Sequence, residues 1–309
     1  MTVRCEQNNG ARVRATTAEG ERVGTYVVTG SASGMGAAVA DSLRATGHTV
    51  IGIDRDGAEV TADLSTPHGR ASAIAAVLDR AEGALAGAVL AAGLGPARGA
   101  ERTIVDVNLL GVTELLTAFR PLLAAGEKSK VVVFGSNSTT ATPLVPGRAV
   151  ARLKAGDTEG ATRILRRRGK ALSGPAAYAA SKIAVTRWCR VHGTRPEWAG
   201  EGIAVNIIAP GPVMTPLLQS QLTGASSKNV RSFPIPLRGY GTPEQITQWV
   251  MLMLSPAADF MAGSVITVDG GTEALLRARD WPRAVPLRAV PRVLWRMYRA
   301  PKDGQIARY

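Results

Sequence analysis

Short apolar runs and longer stretches of helical period alternate along most of the chain. Residues 25–29 (TYVVT) form a β-branched and aromatic run, the composition of a strand. A glycine-rich loop follows, and residues 35–46 then carry apolar side chains at helical spacing up to Gly47. Residues 48–54 (HTVIGID) predict a second strand. This strand–loop–helix–strand unit spans about thirty residues, the size of a βαβ crossover. The alternation continues with a helix over 67–82, a buried strand over 87–91, a helix near 103–123 and a strand over 130–135 (KVVVFG). Residues 138–174, with proline, glycine and clustered bases, read as less regular. A helix over 176–192, a strand over 203–208 and a Pro/Gly-rich loop over 210–241 come next. Thr242-Pro243-Glu244 then opens a helix with an N-cap, a proline at N1 and an acid in the first turn. A last strand over 263–268 closes on Asp269-Gly270-Gly271. Strands alternating with helices predict an α/β fold, a doubly wound parallel sheet covered on both faces. The pattern predicts one domain over 24–273, with an N-terminal extension (1–23) expected to be flexible and a tail over 274–309.

Composition supports this frame. The 309 residues are 45% hydrophobic but only 5% aromatic, so the core must be built from Ala, Val, Leu and Ile. Cys5 and Cys189 are too few and too far apart for a disulfide framework, which fits a reducing cytoplasm. No apolar signal segment opens the chain, and the apolar stretch 84–95 is too short to span a bilayer, so a soluble protein is expected.

The net charge of +13 is concentrated in two places. Residues 147–172 carry eight bases against two acids, and residues 274–309 carry nine against two, so these blocks hold the whole of the excess. They read as solvated faces and a mobile tail, with contact to anionic lipid, an acidic partner or nucleic acid as the alternative. A nucleic-acid groove also needs stacking aromatics, which are missing outside the tail, so no nucleic acid is expected.

Candidate chemistry begins at Thr29-Gly30-Ser31-Ala32-Ser33-Gly34-Met35-Gly36, between the first strand and the first helix. Glycines there let backbone approach a pyrophosphate, and a helix N-terminus points free N–H groups at it. Turn geometry alone is the plainer explanation of such a loop, but the flanking strand and helix favour the dinucleotide reading. Asp54 ends the second strand, where a carboxylate accepts both ribose hydroxyls and repels a 2′-phosphate. It favours NAD over NADP, with Arg55 beside it as a softening influence.

Tyr178 and Lys182 stand four apart on a predicted helix and share a face. A phenol with a pKa near 10 becomes a useful acid–base when an ammonium stabilises its phenolate. Ser136 after the strand VVVF supplies a hydroxyl, with Ser138 as its rival in GSNST. No GxSxG motif is present, and His48, His68 and His192 lack metal-ligand spacing, so neither hydrolase chemistry nor a metal site is expected.

These motifs occur together and in order: TGSASGMG (29–36), AAG (91–93), Asn108 in VNLLG, Ser136, Tyr178-x-x-x-Lys182, and Pro210-Gly211 after NIIA. Over about residues 25–272 the chain resembles the short-chain dehydrogenase/reductase family. The stretches GHTVIGID, AAGLGP and APGPVMTPLLQ, with the long insertion before Tyr178, resemble the bacterial 3α-hydroxysteroid dehydrogenase/carbonyl reductases. The resemblance implies a Rossmann-type single domain and an NAD-dependent oxidoreductase acting on a secondary alcohol or ketone, a hydroxysteroid or similar apolar compound.

In the roles so implied, Tyr178 exchanges the proton and Lys182 lowers its pKa and holds the ribose. Ser136 steadies the substrate oxygen, and Asn108 either anchors a relay water or merely kinks its helix. Gly30, Ser33, Gly34, Met35 and Gly36 cradle the cofactor. Asp54 meets its ribose, Asp63 and Leu64 bracket the adenine, and Ala92 and Gly93 pass close by. Pro210, Gly211, Val213 and Thr215 reach the nicotinamide side. Ala91 departs from the Asn many relatives carry there. Met214 and Leu218, with Leu217, Leu222 and Phe233, are expected to line an apolar substrate pocket or simply to anchor the loop. A homodimer is implied, with the insertion altering its contacts. Residues 292–299 mix bases with apolar side chains, suiting packing, disorder or weak contact with an anionic membrane surface. An NAD sensor acting through its basic tail is the alternative function, and the complete Ser–Tyr–Lys set argues against it.

Overall fold

The computed structural model describes residues 23–223, 231, 233–280 and 284–299. The N-terminal extension expected over 1–23 therefore lies, but for Val23, outside the described residues. So do Cys5, parts of the expected substrate loop (224–230 and 232) and parts of the tail (281–283 and 300–309).

The strands are β1 (Thr25–Thr29), β2 (Thr49–Asp54), β3 (Val60–Thr61), β4 (Gly87–Leu90), β5 (Lys130–Phe134), β6 (Ala204–Pro210) and β7 (Val265–Val268). They form one parallel sheet in the order β3-β2-β1-β4-β5-β6-β7. This is the expected doubly wound fold, with β3 the one strand that the hydrophobic pattern did not announce. The order reverses between β1 and β4, and the carboxyl ends of those strands open the crevice where such sheets take their ligands.

Successive residues in the central strands face opposite layers. Val131 and Val133 join Val27, Ile53 and Leu90 in one core, against α2 (Pro67–Arg80), α4 (Gly111–Ala125) and α8 (Ser173–His192). Val132 and Phe134 join Val28, Val50 and Val89 in the other. That layer is completed by α1 (Gly34–Ala45) and by α10 (Pro243–Leu254), through Ile246, Val250 and Met253. Burial on both faces explains why the strands read as continuous apolar runs.

The helix expected near 103–123 runs from Glu101 to Ala125 in three parts: α3 (Glu101–Val105), a π turn (Asp106–Leu110) and α4. By length and composition it is apolar enough to cross a bilayer, so the shorter stretch 84–95 was not the best such candidate. Leu115, Leu116, Phe119 and Leu123 are fully buried against the sheet, however, which marks it as a core helix.

Residues 138–174, expected to be irregular, are largely helical: α5 (Ser138–Ala141), α6 (Gly147–Lys154), α7 (Thr158–Arg166) and the first turn of α8. Asp157 caps α7 by accepting from the Gly160 N–H at 2.7 Å. Ala149, Val150 and Leu153 on α6, with Ala161 and Leu165 on α7, form a buried stripe at helical spacing. The surrounding bases and glycines masked that stripe. Arg166 reaches the buried Glu101 at 3.5 Å, fastening the insertion to α3. Burial pushes the Glu101 carboxyl up, but hydrogen bonds from Ser173, the backbone and Arg166 outweigh it and hold the pKa below the usual range.

Candidate active site

The glycine loop leaves β1 and enters α1 by backbone conformations that only glycine adopts easily. Gly30 and Gly34 have φ of +71° and +58°. A Cβ on Gly30 would come within 2.9 Å of the Ala92 nitrogen, and one on Gly36 would drive into the Gly30 carbonyl. The loop is therefore pressed against the end of β4, and the remaining space lies above it. Ser33 occupies the N-cap of α1 without capping it, and no acid lies in the first turn. By contrast, α2 is capped by Thr66, and α10 carries a complete capping box between Thr242 and Gln245. Helix α6 of the insertion and α8 also lack a side-chain cap, but at α1 the free N–H groups and positive dipole end lie beside the glycine floor of a cleft.

Above the loop lies a cleft of about 330 Å³. Gly30, Ser33, Gly34, Met35 and Gly36 form its floor, as expected. Asp54, Asp63 and Leu64 line one wall, and Ala92, Gly93 and Thr215 the other. Pro210, Gly211 and Val213 do not line it; they form the shoulder beyond. Gly211 donates to Val268 O at 3.0 Å, and Val213 bridges to Gly241. Arg55, Leu94, Thr103, Val107, Pro216 and Leu217 also line the cleft. Of these, the sequence reading placed only Leu217 and Arg55 near a ligand. Leu94, Thr103 and Val107 became visible only once β4 and the helix after it were packed together.

The Asp54 carboxylate accepts from Ala32 N–H at 3.0 Å and from Arg55 N–H at 2.7 Å, tying the end of β2 to the glycine loop. Asp63 is held below the usual carboxylate range, chiefly by hydrogen bonds from Ser65 and secondarily by the nearby Arg55 charge. Leu64 is fixed through its carbonyl, which accepts from Arg70 at 3.1 Å; Arg70 in turn pairs with Glu114 at 2.6 Å. Despite the absence of Asn at position 91, the strand contact survives, since the Ala92 N–H donates to the Thr29 hydroxyl at 3.1 Å.

At the carboxyl end of β5 the chain turns through Gly135 and Ser136. Asn137 donates to Pro210 O at 3.0 Å and to the Asp269 carboxylate at 3.1 Å, pinning this turn to β6 and β7. Ser136 lies close enough to the half-buried Tyr178 on α8 to lower its pKa, and its oxygen accepts from the Ser138 N–H at 3.1 Å. Ser138 Oγ is buried without a hydrogen-bond partner. Burial pushes the Tyr178 pKa up, with Ser136 opposing it more weakly.

One turn further along α8, the Lys182 ammonium is buried and donates to Phe134 O at 2.7 Å. Burial brings it down to about 8. The influences on the Tyr178 pKa are desolvation and, opposing it, Ser136, while the Lys182 ammonium is engaged by a carbonyl. The buried Cys189 thiol, pushed up to about 12 by desolvation, is unreactive.

Asn108 sits in the π turn, fully buried. Its amide accepts from Leu94 N–H at 2.8 Å and donates to Leu94 O at 2.9 Å and Ser181 Oγ at 3.3 Å. The side chain is therefore committed to holding the loop after β4. A Cβ on Gly93 would lie 3.2 Å from Asn108 Oδ1 and 3.6 Å from Lys182 Nζ, so Gly93 is where cleft and catalytic candidates meet.

Of the expected substrate contacts, Met214 is half-buried, whereas Leu218 is 7% exposed and anchors the loop inward. Leu217, 46% exposed and lining the cleft, is the better placed apolar side chain. A wider concavity of about 930 Å³ lies on the insertion between α6 and α7 and shares no lining residue with this cleft. No cluster of potential metal ligands occurs among the described residues.

A family model described as Enoyl-(Acyl carrier protein) reductase matches residues 164–273. The chain is 37% identical over 252 residues to a 3-alpha-hydroxysteroid dehydrogenase/carbonyl reductase of Comamonas testosteroni, covering 81% of this chain and 97% of that protein. It is 31% identical over 258 residues to the short-chain reductase protein NovJ of Streptomyces niveus, covering 79% and 92%. Among solved structures, the 3-alpha-hydroxysteroid dehydrogenase from Pseudomonas sp. B-0831 complexed with NADH superposes with a TM-score of 0.78 at 41% identity, over 82% of this chain and 99% of that one. A parallel sheet reversing over a glycine cradle, with a serine, a tyrosine and a lysine gathered beside it, accords with these relatives: the chain belongs to the short-chain dehydrogenase/reductase family of oxidoreductases.

Proposed function

We propose that the protein is an NAD(H)-dependent oxidoreductase that interconverts a secondary alcohol and a ketone on an apolar, hydroxysteroid-like compound. The observation that carries this reading is the proximity of the Ser136 and Tyr178 hydroxyls beside a glycine-floored cleft, with Lys182 one turn along α8. The uncapped α1 N-terminus suits a pyrophosphate, and Asp54 at the end of β2 suits ribose hydroxyls while repelling a 2′-phosphate. The names of the similar hydroxysteroid dehydrogenases point to the same substrate class.

A nicotinamide dinucleotide held here supplies or accepts the hydride. The chain's own groups manage the proton and the oxygen. Tyr178, held protonated by burial, donates its proton to a ketone oxygen as charge develops there. Ser136 donates a second hydrogen bond to that oxygen. In the oxidative direction Tyr178 takes the proton back, and the Lys182 ammonium is the cation on its helix face that favours the phenolate. Gly93 leaves room above Lys182 Nζ and Asn108. Leu217 and Met214 present apolar surface suited to a fused-ring or terpenoid carbonyl compound. The same reading takes the enzyme as a homodimer, which sedimentation at micromolar concentration checks.

The test is a panel of 3-keto and 3-hydroxy steroids, quinones and small ketones, followed by the absorbance of reduced nicotinamide, with wild type and Tyr178→Phe in parallel. The variant should lose about 10³-fold in kcat while binding NADH within a few-fold of wild type. Undiminished turnover, or no uptake of dinucleotide by the wild type, would overturn the reading.

A further inference from the structure

The tail carries a feature that the dehydrogenase chemistry does not use. Beyond the last residue matched by the family model lies α12 (Val290–Arg299), preceded by a 3₁₀ turn (Leu287–Ala289). None of its residues is buried. At 3.6 residues per turn, Arg292, Arg296 and Arg299 fall within about 60° of one another around the axis. Val290, Val293, Leu294, Met297, Tyr298 and Trp295 fill an arc of about 200° on the other side, with Trp295 next to the basic edge. A helix so strictly divided ordinarily lays its apolar face on a core. Here Met297 is 68% exposed and Tyr298 81%. Arg299 lies over the Trp295 ring at 5.0 Å, and among the described residues no acid pairs with Arg288, Arg292, Arg296 or Arg299.

We propose that α12 is an in-plane anchor that lies on an anionic lipid surface, its apolar arc in the acyl boundary and its arginines among the headgroup phosphates. The charge decides among occupants. A second copy of this chain also carries +13, so overall like-charge repulsion opposes its approach to three aligned arginines. Nucleic acid would satisfy the arginines but leave six apolar side chains in water. An anionic bilayer satisfies both arcs at once, and an indole beside the basic edge suits its interface. Ten residues make a helix of about 15 Å, so it lies on the membrane and cannot span it. Such an anchor would hold the enzyme where an apolar alcohol or ketone is dissolved; that advantage rests on the substrate reading above, but the anchoring does not.

Full-length protein is mixed with vesicles of phosphatidylcholine containing 30% phosphatidylglycerol, and with pure phosphatidylcholine, and then sedimented. Three variants run alongside: truncation after residue 280, Arg292→Gln/Arg296→Gln, and Trp295→Ala. Dinucleotide binding in solution confirms that each is folded. The full chain should sediment with the anionic vesicles and not with the neutral ones, and should be released by 0.5 M salt. The double arginine variant should partition on the order of 30-fold more weakly, since each arginine near such a surface contributes about fivefold. Truncation should abolish sedimentation with vesicles while leaving turnover of a water-soluble ketone unchanged. Full-length protein remaining in the supernatant, or sedimenting equally well after truncation, overturns the proposal. So does a truncation that only halves the molecular mass in sedimentation equilibrium, which would make α12 a subunit contact. Loss of turnover with every ketone while vesicle binding persists would count against the catalytic reading alone.

Discussion

Replacing Lys182 by Met should make the protein more stable and, at the same time, nearly inactive. Lys182 is 5% exposed, its Nζ has a single hydrogen bond, to Phe134 O, and burial lowers its pKa from 10.5 to about 8. At pH 7 the group is still mostly charged, so the folded state bears the cost of holding an ammonium in a dry place. The gap between 10.5 and about 8 corresponds to about 3 kcal/mol. Met fills similar volume without that cost but leaves the Phe134 carbonyl unpaired, which returns about 1 kcal/mol. The net gain of about 2 kcal/mol should raise Tm by roughly 4–8 °C.

The pH dependence tests the cause. Between about pH 8 and 10.5 the unfolded lysine binds more proton than the folded one, so wild-type stability rises with pH relative to the variant. Below pH 8 the whole penalty is present; by pH 10.5 it is gone. Thermal unfolding of both proteins at pH 7 and pH 10.5, with turnover measured at pH 7, is the assay. A variant less stable than wild type at pH 7, a stability gap that does not shrink with rising pH, or preserved turnover would refute the reasoning.

Ser136→Ala should cost about 10²-fold in kcat, whereas Ser138→Ala should cost less than a few-fold, as steady-state kinetics on the same ketone will show. Asp54→Ala should weaken NAD binding by about 10–100-fold and shift the ratio of kcat/KM toward NADP, as the ribose role proposed for this carboxylate requires. Asn108→Ala strands the Leu94 N–H and C=O and should lower stability by about 2–4 kcal/mol in urea titration. A fall in kcat with unchanged stability would instead favour a relay role for Asn108.

Wherever one physical signal dominated, the chain was legible before folding. Strands covered on both faces are uninterrupted apolar runs, so β1, β2, β4, β5 and β6 could be placed within a residue or two. The capping box of α10 is local chemistry and was visible as Thr242-Pro243-Glu244. The insertion was misread because Arg148, Arg152, Arg166 and their neighbours hide a stripe of Ala149, Val150, Leu153, Ala161 and Leu165 that is narrow but buried. Two-residue β3 carries no periodicity to detect. The π turn at Asn108 and the cleft contacts of Thr103 and Val107 depend on the packing of β4 against the following helix, which no local pattern encodes. Leu218 and Leu217 are neighbours with the same side chain, and only the path of the loop decides which one faces the cleft.

Some of the places where this chain departs from the ordinary rules of stability lie beside the cleft. The first helix is left uncapped, although the chain caps α2 and α10 well. Among the described residues, Ser31 and Ser138, but also Thr186 on α8 and Thr247 on α10, hide hydroxyls without partners. Lys130, buried elsewhere, is paired with Asp259 at 2.8 Å, while Lys182, buried at the cleft, is given only a carbonyl. The departure at Lys182 is the one that points to function, because a neutral side chain would have relieved it. It also bears on the choice between an enzyme and a sensor on the same fold. Gripping a dinucleotide requires the open helix end and the acid on β2, and both would be kept by a binding protein. The family resemblance gives Lys182 a share in gripping the ribose as well, so what separates an enzyme from a sensor is its place one helical turn from the Tyr178 phenol. A sensor has no use for that acid–base pair, whereas the reaction proposed above, which moves a proton at Tyr178, requires it.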